Sequence, residues 1–204
     1  MACSVYRVDR FESLVGKTAL ECALASFACP LNDEVAEFLK EKSRQATRLN
    51  SSITYLVVDD EALEIRGYFT LVIKPFTIAA SALSSKNRRL IGRFAEENPQ
   101  TGDYTAAVYL IAQRGKNFAG TGGITGAHLL DLAMEKGRAA QDFVGGKLVL
   151  VEREQDREKL LAFYMSNHFK SWNVRRNTSD GITYDQMVRV IEPATVAEAA
   201  RRWR

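Results

Sequence analysis

Apolar and polar residues follow one another in the N-terminal half of the chain in a pattern that predicts one helix and then two strands. Asn32 can cap a helix through its side-chain oxygen, and apolar residues recur after it at helical spacing as far as about residue 48. The apolar face of this helix consists of Val35, Phe38 and Leu39. Residues 53–58 are apolar, β-branched and aromatic, which predicts a buried strand. A turn over 59–61 leads into a second, antiparallel strand over 63–73.

The middle of the chain predicts a helix and then two strand-to-helix units. The helix is expected over 81–97, where apolar residues return at helical spacing. A strand over 104–113 runs through a glycine-rich stretch into a helix over 127–141, and a strand over 147–152 precedes a helix that Asp156 is expected to cap. The glycines of the stretch are Gly115, Gly120, Gly122, Gly123 and Gly126.

The C-terminal part predicts a β-hairpin and a short final helix. The hairpin strands are expected over 169–174 and 184–191, and the alanine- and arginine-rich residues 194–204 favour a helix. No internal repeat interrupts the series of elements. The fold class is therefore α/β with α and β elements mixed, beginning with antiparallel strands and carrying the strand-to-helix units in the middle.

Length and composition favour one globular domain over residues 1–204, with 1–28 as an N-terminal extension and 193–204 as a C-terminal tail. Hydrophobic residues make up 46% and charged residues 26%, which excludes disordered and fibrous classes. The sequence has neither an apolar run of about 20 residues nor a basic segment followed by an apolar one at its start. We therefore expect no membrane partner and a cytoplasmic location.

Cysteine and histidine are too scarce for several kinds of chemistry. The three cysteines lie within the first thirty residues and lack C-x-x-C spacing. With only two histidines, few side chains are available as metal ligands or as members of a catalytic triad. These residues are Cys3, Cys22, Cys29, His128 and His168. Chemistry without a metal is favoured.

Positive charge is concentrated in two groups, although the net charge of +3 is too small to indicate nucleic-acid binding by itself. The first group consists of Lys40, Lys42, Arg44 and Arg48, and the second of Lys86, Arg88, Arg89 and Arg93. Each group is interpreted either as a solvated helix face or as a set of phosphate contacts.

The glycine-rich stretch from Gly120 to Gly126 is a candidate phosphate-binding loop, because backbone N–H groups converge where a strand turns into a helix. Neither the G-x-G-x-x-G fingerprint nor the lysine-terminated P-loop pattern is present, which disfavours a dinucleotide dehydrogenase or an ATPase. The alternative is a connecting loop without a ligand.

Two segments resemble the GNAT acetyltransferases. Residues 107–113, the glycine stretch and residues 124–133 resemble the acetyl-CoA loop and its following helix, whereas 160–169 (LLAFYMSNHF) resembles the F-Y-x-x-x-G-F segment. The loop departs from the family pattern through an insertion before Gly126, and His168 replaces the glycine of the second segment. Residues 29–40, followed by 54–60 (TYLVVDD) and 66–71 (RGYFTL), are similar to a GNAT subset that includes bacterial toxins acetylating charged tRNA.

This resemblance implies a mixed, mostly antiparallel sheet of about six to seven strands, splayed in the middle and flanked by helices. It implies acetyl-CoA as cosubstrate, no metal, and direct attack of an amine on the thioester with Tyr164 as general acid. The implied coenzyme-binding residues are Ile111, Gln113, Gly122, Gly123, Ile124, Thr125, Gly126 and Asn167. Glu152 and Gln113 are candidates for handling the amine proton, and no base is assigned.

Three functions remain open from the sequence. The first is an acetyl-CoA-dependent N-acetyltransferase acting on a primary amine of a small molecule or protein. The second is a toxin of a toxin–antitoxin pair that acetylates aminoacyl-tRNA, which would make tRNA a partner. The third is a non-catalytic acyl-CoA-binding or interaction module. A homodimer is kept open in each case.

Overall fold

The computed structural model describes residues 3–120, 123–178 and 181–191 and places seven of their strands in one sheet with the order β1-β2-β3-β4-β5-β7-β6. The strands are β1 (Cys3–Arg7), β2 (Ile53–Asp59), β3 (Ile65–Ala79), β4 (Asp103–Lys116), β5 (Leu148–Glu154), β6 (Lys170–Arg176) and β7 (Thr183–Val190). The β1/β2, β2/β3, β5/β7 and β6/β7 pairs are antiparallel, and β4 pairs with β5 in parallel. The predicted mixed, mostly antiparallel sheet is confirmed.

Helices connect these strands. They are α1 (Val8–Val15), α2 (Lys17–Ala25), α3 (Asp33–Glu37), α4 (Ser43–Arg48), α5 (Ser85–Ile91), α6 (Gly126–Val144) and α7 (Glu158–Ser166). A π-helical turn, Phe38–Lys42, joins α3 to α4, and a 3₁₀ turn, Ala80–Ala82, follows β3. None of these helices, taken over the residues that the structure describes, is long and apolar enough to cross a membrane.

The first predicted helix begins where the sequence indicates. Asn32 Oδ1 accepts hydrogen bonds from the backbone N–H groups of Glu34 (3.0 Å) and Val35 (3.4 Å), so the side chain caps α3. The helical segment continues to Arg48 as predicted, but the π-turn interrupts it. Such a turn holds one residue more than an α-helical turn and shifts the phase of the residues that follow it.

Two helix predictions are wrong in their details. The helix expected over 81–97 is limited to Ser85–Ile91, because Leu83 is extended, the Ser84 hydroxyl accepts a hydrogen bond from Asn87 N–H and starts a new helix, and Gly92 ends it. Asp156 does not cap α7, which begins at Glu158 with Arg157 at the capping position and no side-chain cap. The helix predicted over 194–204 lies outside the described residues.

The chain divides into two compact units. The first comprises Met1–Val72 and Ile111–Lys136, and the second comprises Ile73–Leu110 and Gly137–Arg204. Residues 3–25, for which the sequence suggested no elements, form β1, α1 and α2 in the first unit. Side chains from these elements join its hydrophobic core, which includes Val8, Phe11, Leu20, Leu24, Phe27, Leu39, Leu56 and Tyr68.

Candidate active site

The first unit contains the start of α6, where the sequence predicts a phosphate site. Thr125 Oγ1 accepts a hydrogen bond of 3.1 Å from His128 N–H, so Thr125 caps the helix. The amides of Gly126 and Ala127 lie in the first turn, where helix geometry provides no carbonyl partner. Because α6 has 19 residues, its N-terminus carries a developed positive dipole end. This turn can bind an anion.

Gly115 and Gly123 play different roles in the glycine-rich stretch. Gly115 lies within β4, where a Cβ would come within 2.5 Å of Val35 Cγ1 and 3.1 Å of Tyr68 Cε1. Gly115 is therefore required for packing and not for a ligand. At Gly123 a Cβ would meet no atom within 4 Å among the described residues. The backbone of Gly123 is thus open to approach from outside, whereas Gly122 lies outside the described residues.

The side chain of Ile124 is buried. Its Cγ2 lies 3.2 Å from the point where a Cβ would stand on Gly67, so it packs against β3. A ligand can therefore contact Ile124 only through the backbone. On β4, Ile111 is buried and Gln113 is half-buried.

Arg114 and Asn117 position the loop, and the sequence did not single out either side chain for this. Arg114 Nη1 donates to the Gly126 carbonyl oxygen over 2.9 Å, which joins the end of β4 to the first turn of α6. Asn117 Oδ1 accepts from the N–H groups of Ala28 and Ala119, and its Nδ2 donates to the Ile65 carbonyl. Two of these partners, Ala28 and Ile65, are 89 and 52 residues from Asn117, so the local sequence does not reveal the bonds to them.

The second unit contains the parallel pairing of β4 with β5 and the helix that follows β5. The ladder joins Val108–Leu110 to Leu148–Leu150, and both strands extend beyond it in the chain. From Leu148 to Glu154, β5 also pairs with β7.

Tyr164 lies on α7 and is buried, with 8% of its surface exposed. Its ring makes edge contacts with Phe163 (centroids 5.4 Å apart) and Phe169 (5.6 Å). Packing against two rings fixes the direction of the phenol, which is the property a proton donor needs. The same contacts are also those of a core aromatic, so packing alone does not define the role.

Asn167 is the C-cap of α7. Its Nδ2 donates to the Phe163 carbonyl over 2.7 Å, and its own carbonyl accepts from Arg189 Nη1 over 3.2 Å. Its side chain therefore holds the last turn of the helix that carries Tyr164.

Glu152 is ion-paired and not a solvated strand-end charge. Its carboxylate accepts from Arg175 Nε (3.1 Å), Arg175 Nη2 (3.2 Å) and Gln186 Nε2 (2.7 Å). Burial by itself raises the pKa of Glu152, but the hydrogen bonds from Arg175 and Gln186 outweigh it and lower the pKa below its usual value. A carboxylate held in this way is a poor proton acceptor.

The predicted site residues are divided between the two units. The first unit contains Ile111, Gln113, Gly123, Ile124, Thr125 and Gly126, and the second contains Tyr164 and Asn167. Among the described residues, no three His, Cys, Asp or Glu side chains are grouped closely enough to hold a metal ion.

The strand order and the succession of a strand, a capped helix, a parallel strand and a further helix define the GNAT fold. Solved toxin structures share it. AtaT complexed with acetyl-methionyl-tRNAfMet is 17% identical, with a TM-score of 0.63 and coverage of 90% of this chain and 94% of that one. A tyrosine-to-phenylalanine mutant of KacT is 18% identical, with a TM-score of 0.62 and coverage of 91% and 95%.

A further neighbour is a tyrosine-to-phenylalanine mutant of the AtaT toxin bound to acetyl-CoA and to the C-terminus of the antitoxin AtaR. It is 15% identical, with a TM-score of 0.57 and coverage of 92% of each chain. The sequence itself matches no family model and no curated protein.

Proposed function

We propose that the protein is an acetyl-CoA-dependent N-acetyltransferase that transfers the acetyl group to a primary amine. The observation that carries this proposal is the N-terminal turn of α6, which is capped by Thr125 and preceded by Gly123, where an added Cβ would meet no described atom within 4 Å. A pyrophosphate is the anion that such a turn suits. The GNAT fold of the acetyl-CoA-bound neighbour supports the same coenzyme.

The backbone of the loop and of β4 would bind the coenzyme. Amides from Gly122 to Gly126 are assigned to the pyrophosphate, and the backbone of Ile111 and Gln113 to the pantetheine arm. The burial of the Ile124 side chain agrees with contact through the main chain alone. Asn167 is assigned to the coenzyme as well, and its side chain also holds the last turn of α7.

The reaction is a direct transfer. The amine nitrogen forms a bond to the acetyl carbonyl carbon, the carbon–sulfur bond breaks, and the phenol of Tyr164 gives its proton to the departing thiolate. Positioning of amine and thioester supplies much of the acceleration. The proton released by the amine passes to water, because the ion-paired Glu152 is too weak a base to be assigned this step.

Aminoacyl-tRNA is the second candidate acceptor within this function. The observation that favours it over a small-molecule amine is the fold shared with AtaT, whose structure was solved with acetyl-methionyl-tRNAfMet. The reactive group is again a primary amine, the α-amino group of the amino acid, so the same chemistry applies. A toxin of this kind would take an antitoxin as partner, as AtaT does.

Calorimetric titration with acetyl-CoA and with free CoA tests the coenzyme site. Micromolar binding of both is expected, and an absence of binding would contradict the proposal. Thiol release measured against a panel of amines and against charged tRNA then identifies the acceptor. A non-catalytic binding module would bind the coenzyme but release no thiol with any acceptor.

A further inference from the structure

The two basic groups have the same interpretations from sequence, but they differ in how many of their cations form ion pairs. In the first group Lys42 pairs with Glu37 (2.8 Å), Arg44 with Glu21 (3.2 Å) and Arg48 with Glu12 (2.7 Å). The positive charge of this surface is therefore largely balanced by neighbouring carboxylates within the first unit. Such a surface attracts a polyanion weakly.

The second group has the opposite character. Only Arg88 is paired, with Glu97 Oε2 at 2.7 Å, and Tyr104 donates to the same carboxylate. Over the described ranges of the chain, no ion pair involves Lys86, Arg89 or Arg93, and all three side chains are exposed. The hydrogen bonds from Arg88 and Tyr104 lower the pKa of Glu97, so that carboxylate stays charged and bound to Arg88.

Two of the three available cations lie on one side of α5, and the third follows in the turn after it. Lys86 and Arg89 are three residues apart on the helix, which makes them surface neighbours at about 5–6 Å between Cβ atoms. Arg93 follows the helix-ending Gly92, and its N–H donates to the Leu90 carbonyl. Arg88 falls on the other side. The result is a small surface with three long cationic side chains and a locally unbalanced charge, which we call the α5 basic face.

We propose that the α5 basic face binds the phosphate backbone of an RNA, and specifically that of the tRNA acceptor. This inference rests on the second acceptor of the proposed function. Arginine guanidinium groups match phosphate oxygens through paired N–H donors, and a row of cations binds consecutive phosphates by releasing their counterions. Three of the four cations of the first basic group, Lys42, Arg44 and Arg48, already hold carboxylates, so we do not assign the RNA contact to that group.

An anionic membrane is the other polyanion to consider, and the surroundings of α5 disfavour it. Helices that lie on membranes add a broad exposed apolar face beside their cations. In α5, Ile91 is fully buried and Leu90 is half-buried, so the helix has little apolar surface to insert. Nucleic-acid backbones need no such face.

The test compares two triple variants that carry the same change in charge. K86Q/R89Q/R93Q removes the α5 basic face, and K42Q/R44Q/R48Q removes the paired cations of the first group. Each lowers the formal net charge from +3 to 0 (+3 − 3). Binding of a fluorescein-labelled, uncharged tRNA is followed by anisotropy between 50 and 200 mM salt, with circular dichroism as the check on folding.

The α5 variant is expected to lose about 10–100-fold in tRNA affinity at the low-salt end, and its plot of log affinity against log salt should be shallower by about 2–3. The control variant should stay within about twofold of the unmodified protein, because ion-paired side chains contribute little to phosphate binding. Equal losses in both variants, or none in the α5 variant, would overturn the proposal. Binding to phosphatidylserine vesicles through the α5 face, without tRNA binding, would overturn it as well.

Titration with acetyl-CoA separates this proposal from the proposed function. Both variants should bind acetyl-CoA as the unmodified protein does. If no form binds acetyl-CoA but the α5 variant alone loses tRNA affinity, the acetyltransferase proposal is contradicted and the proposed RNA-binding surface is supported. If all forms bind acetyl-CoA and all bind tRNA equally, the surface fails and the acetyltransferase function stands.

Discussion

The rings of Tyr164 and Phe169 meet edge to face across the end of α7, with centroids 5.6 Å apart and planes inclined by 63°. The backbone connects the same two residues, since Phe169 N–H donates to the Tyr164 carbonyl over 3.0 Å. His168 N–H donates to the Met165 carbonyl, and His168 has a positive φ of 66°. These features form a Schellman motif, in which an apolar contact accompanies the crossed hydrogen bonds. The proposed proton donor is therefore part of a helix-ending motif.

Replacing Tyr164 with phenylalanine should separate its chemical role from its structural one. The ring contacts with Phe163 and Phe169 are retained, so the melting temperature should change little. Turnover should fall by about 10²–10⁴-fold if the phenol protonates the thiolate. Thiol release, with acetyl-CoA affinity as the control, measures the effect. Unchanged turnover would remove Tyr164 from the reaction, whereas Tyr164→Leu should lower stability because the ring packing is lost.

His168→Gly should stabilise the protein. A left-handed backbone conformation costs a residue with a Cβ about 1–2 kcal/mol, and glycine adopts it without that cost. Glycine also loses more conformational entropy on folding than histidine does, which offsets part of this gain. The expected net increase in the free energy of unfolding is about 0.5–1 kcal/mol. Urea denaturation checks it. His168→Val, with a branched side chain at the same φ, should do the reverse, and equal stability of the two variants would contradict this account.

Gly115→Ala and Gly123→Ala form a matched pair with opposite outcomes. At Gly115 the added methyl group would stand 2.5 Å from Val35 Cγ1 within the core, which should destabilise the protein by about 1–3 kcal/mol. At Gly123 it meets nothing within 4 Å among the described residues, so stability should be unchanged. The methyl group would instead obstruct a pyrophosphate, and acetyl-CoA affinity should fall. Melting temperature and calorimetric titration separate the two effects.

Asp59 should make stability fall at acidic pH. Hydrogen bonds from the N–H of Ala62 and from Arg66 lower the pKa of Asp59 from 3.8 to about 2. Because the folded-state pKa is the lower one, the stabilisation is complete above pH 3.8 and disappears as the pH falls towards 2. Asp59→Asn should therefore lower the denaturation midpoint at pH 7 and bring little further loss near pH 2. The exposed neighbour Asp60 provides the control as Asp60→Asn.

Elements with a local signal could be predicted from the sequence, and those shaped by distant contacts could not. Asn32 is read correctly because its cap bonds reach only two and three residues along the chain. The helix expected over 81–97 is wrong because apolar spacing ignores Ser84, whose hydroxyl restarts the helix. Gly115 belongs by sequence to the glycine-rich stretch, yet its constraint comes from Val35, Tyr68 and Phe27 in the core.

The same distinction applies to the candidate site. Thr125 and Gly126 lie at the start of a helix as the glycine pattern predicts, and the assignment of Ile111, Gln113 and Asn167 to the coenzyme stays a prediction. Arg114 and Asn117, which position the loop, bond to groups that sequence spacing does not connect. The ion pairs that distinguish the two basic groups likewise depend on tertiary structure, since Arg44 and Arg48 reach glutamates on the preceding helices.

The hydrogen bonds of the Asn117 side chain can form only after the residues that they join have been synthesised on the ribosome. Ala28, one of these residues, precedes Asn117 by 89 residues. At about 5–20 residues per second on the ribosome, the two are synthesised roughly 5–20 s apart. β2 and β3 are synthesised within that interval, while the side chain that ties Ala28 to Ile65 has yet to be made. Until residue 117 is added, the nascent chain therefore lacks the side-chain link between the segment before α3 and the start of β3.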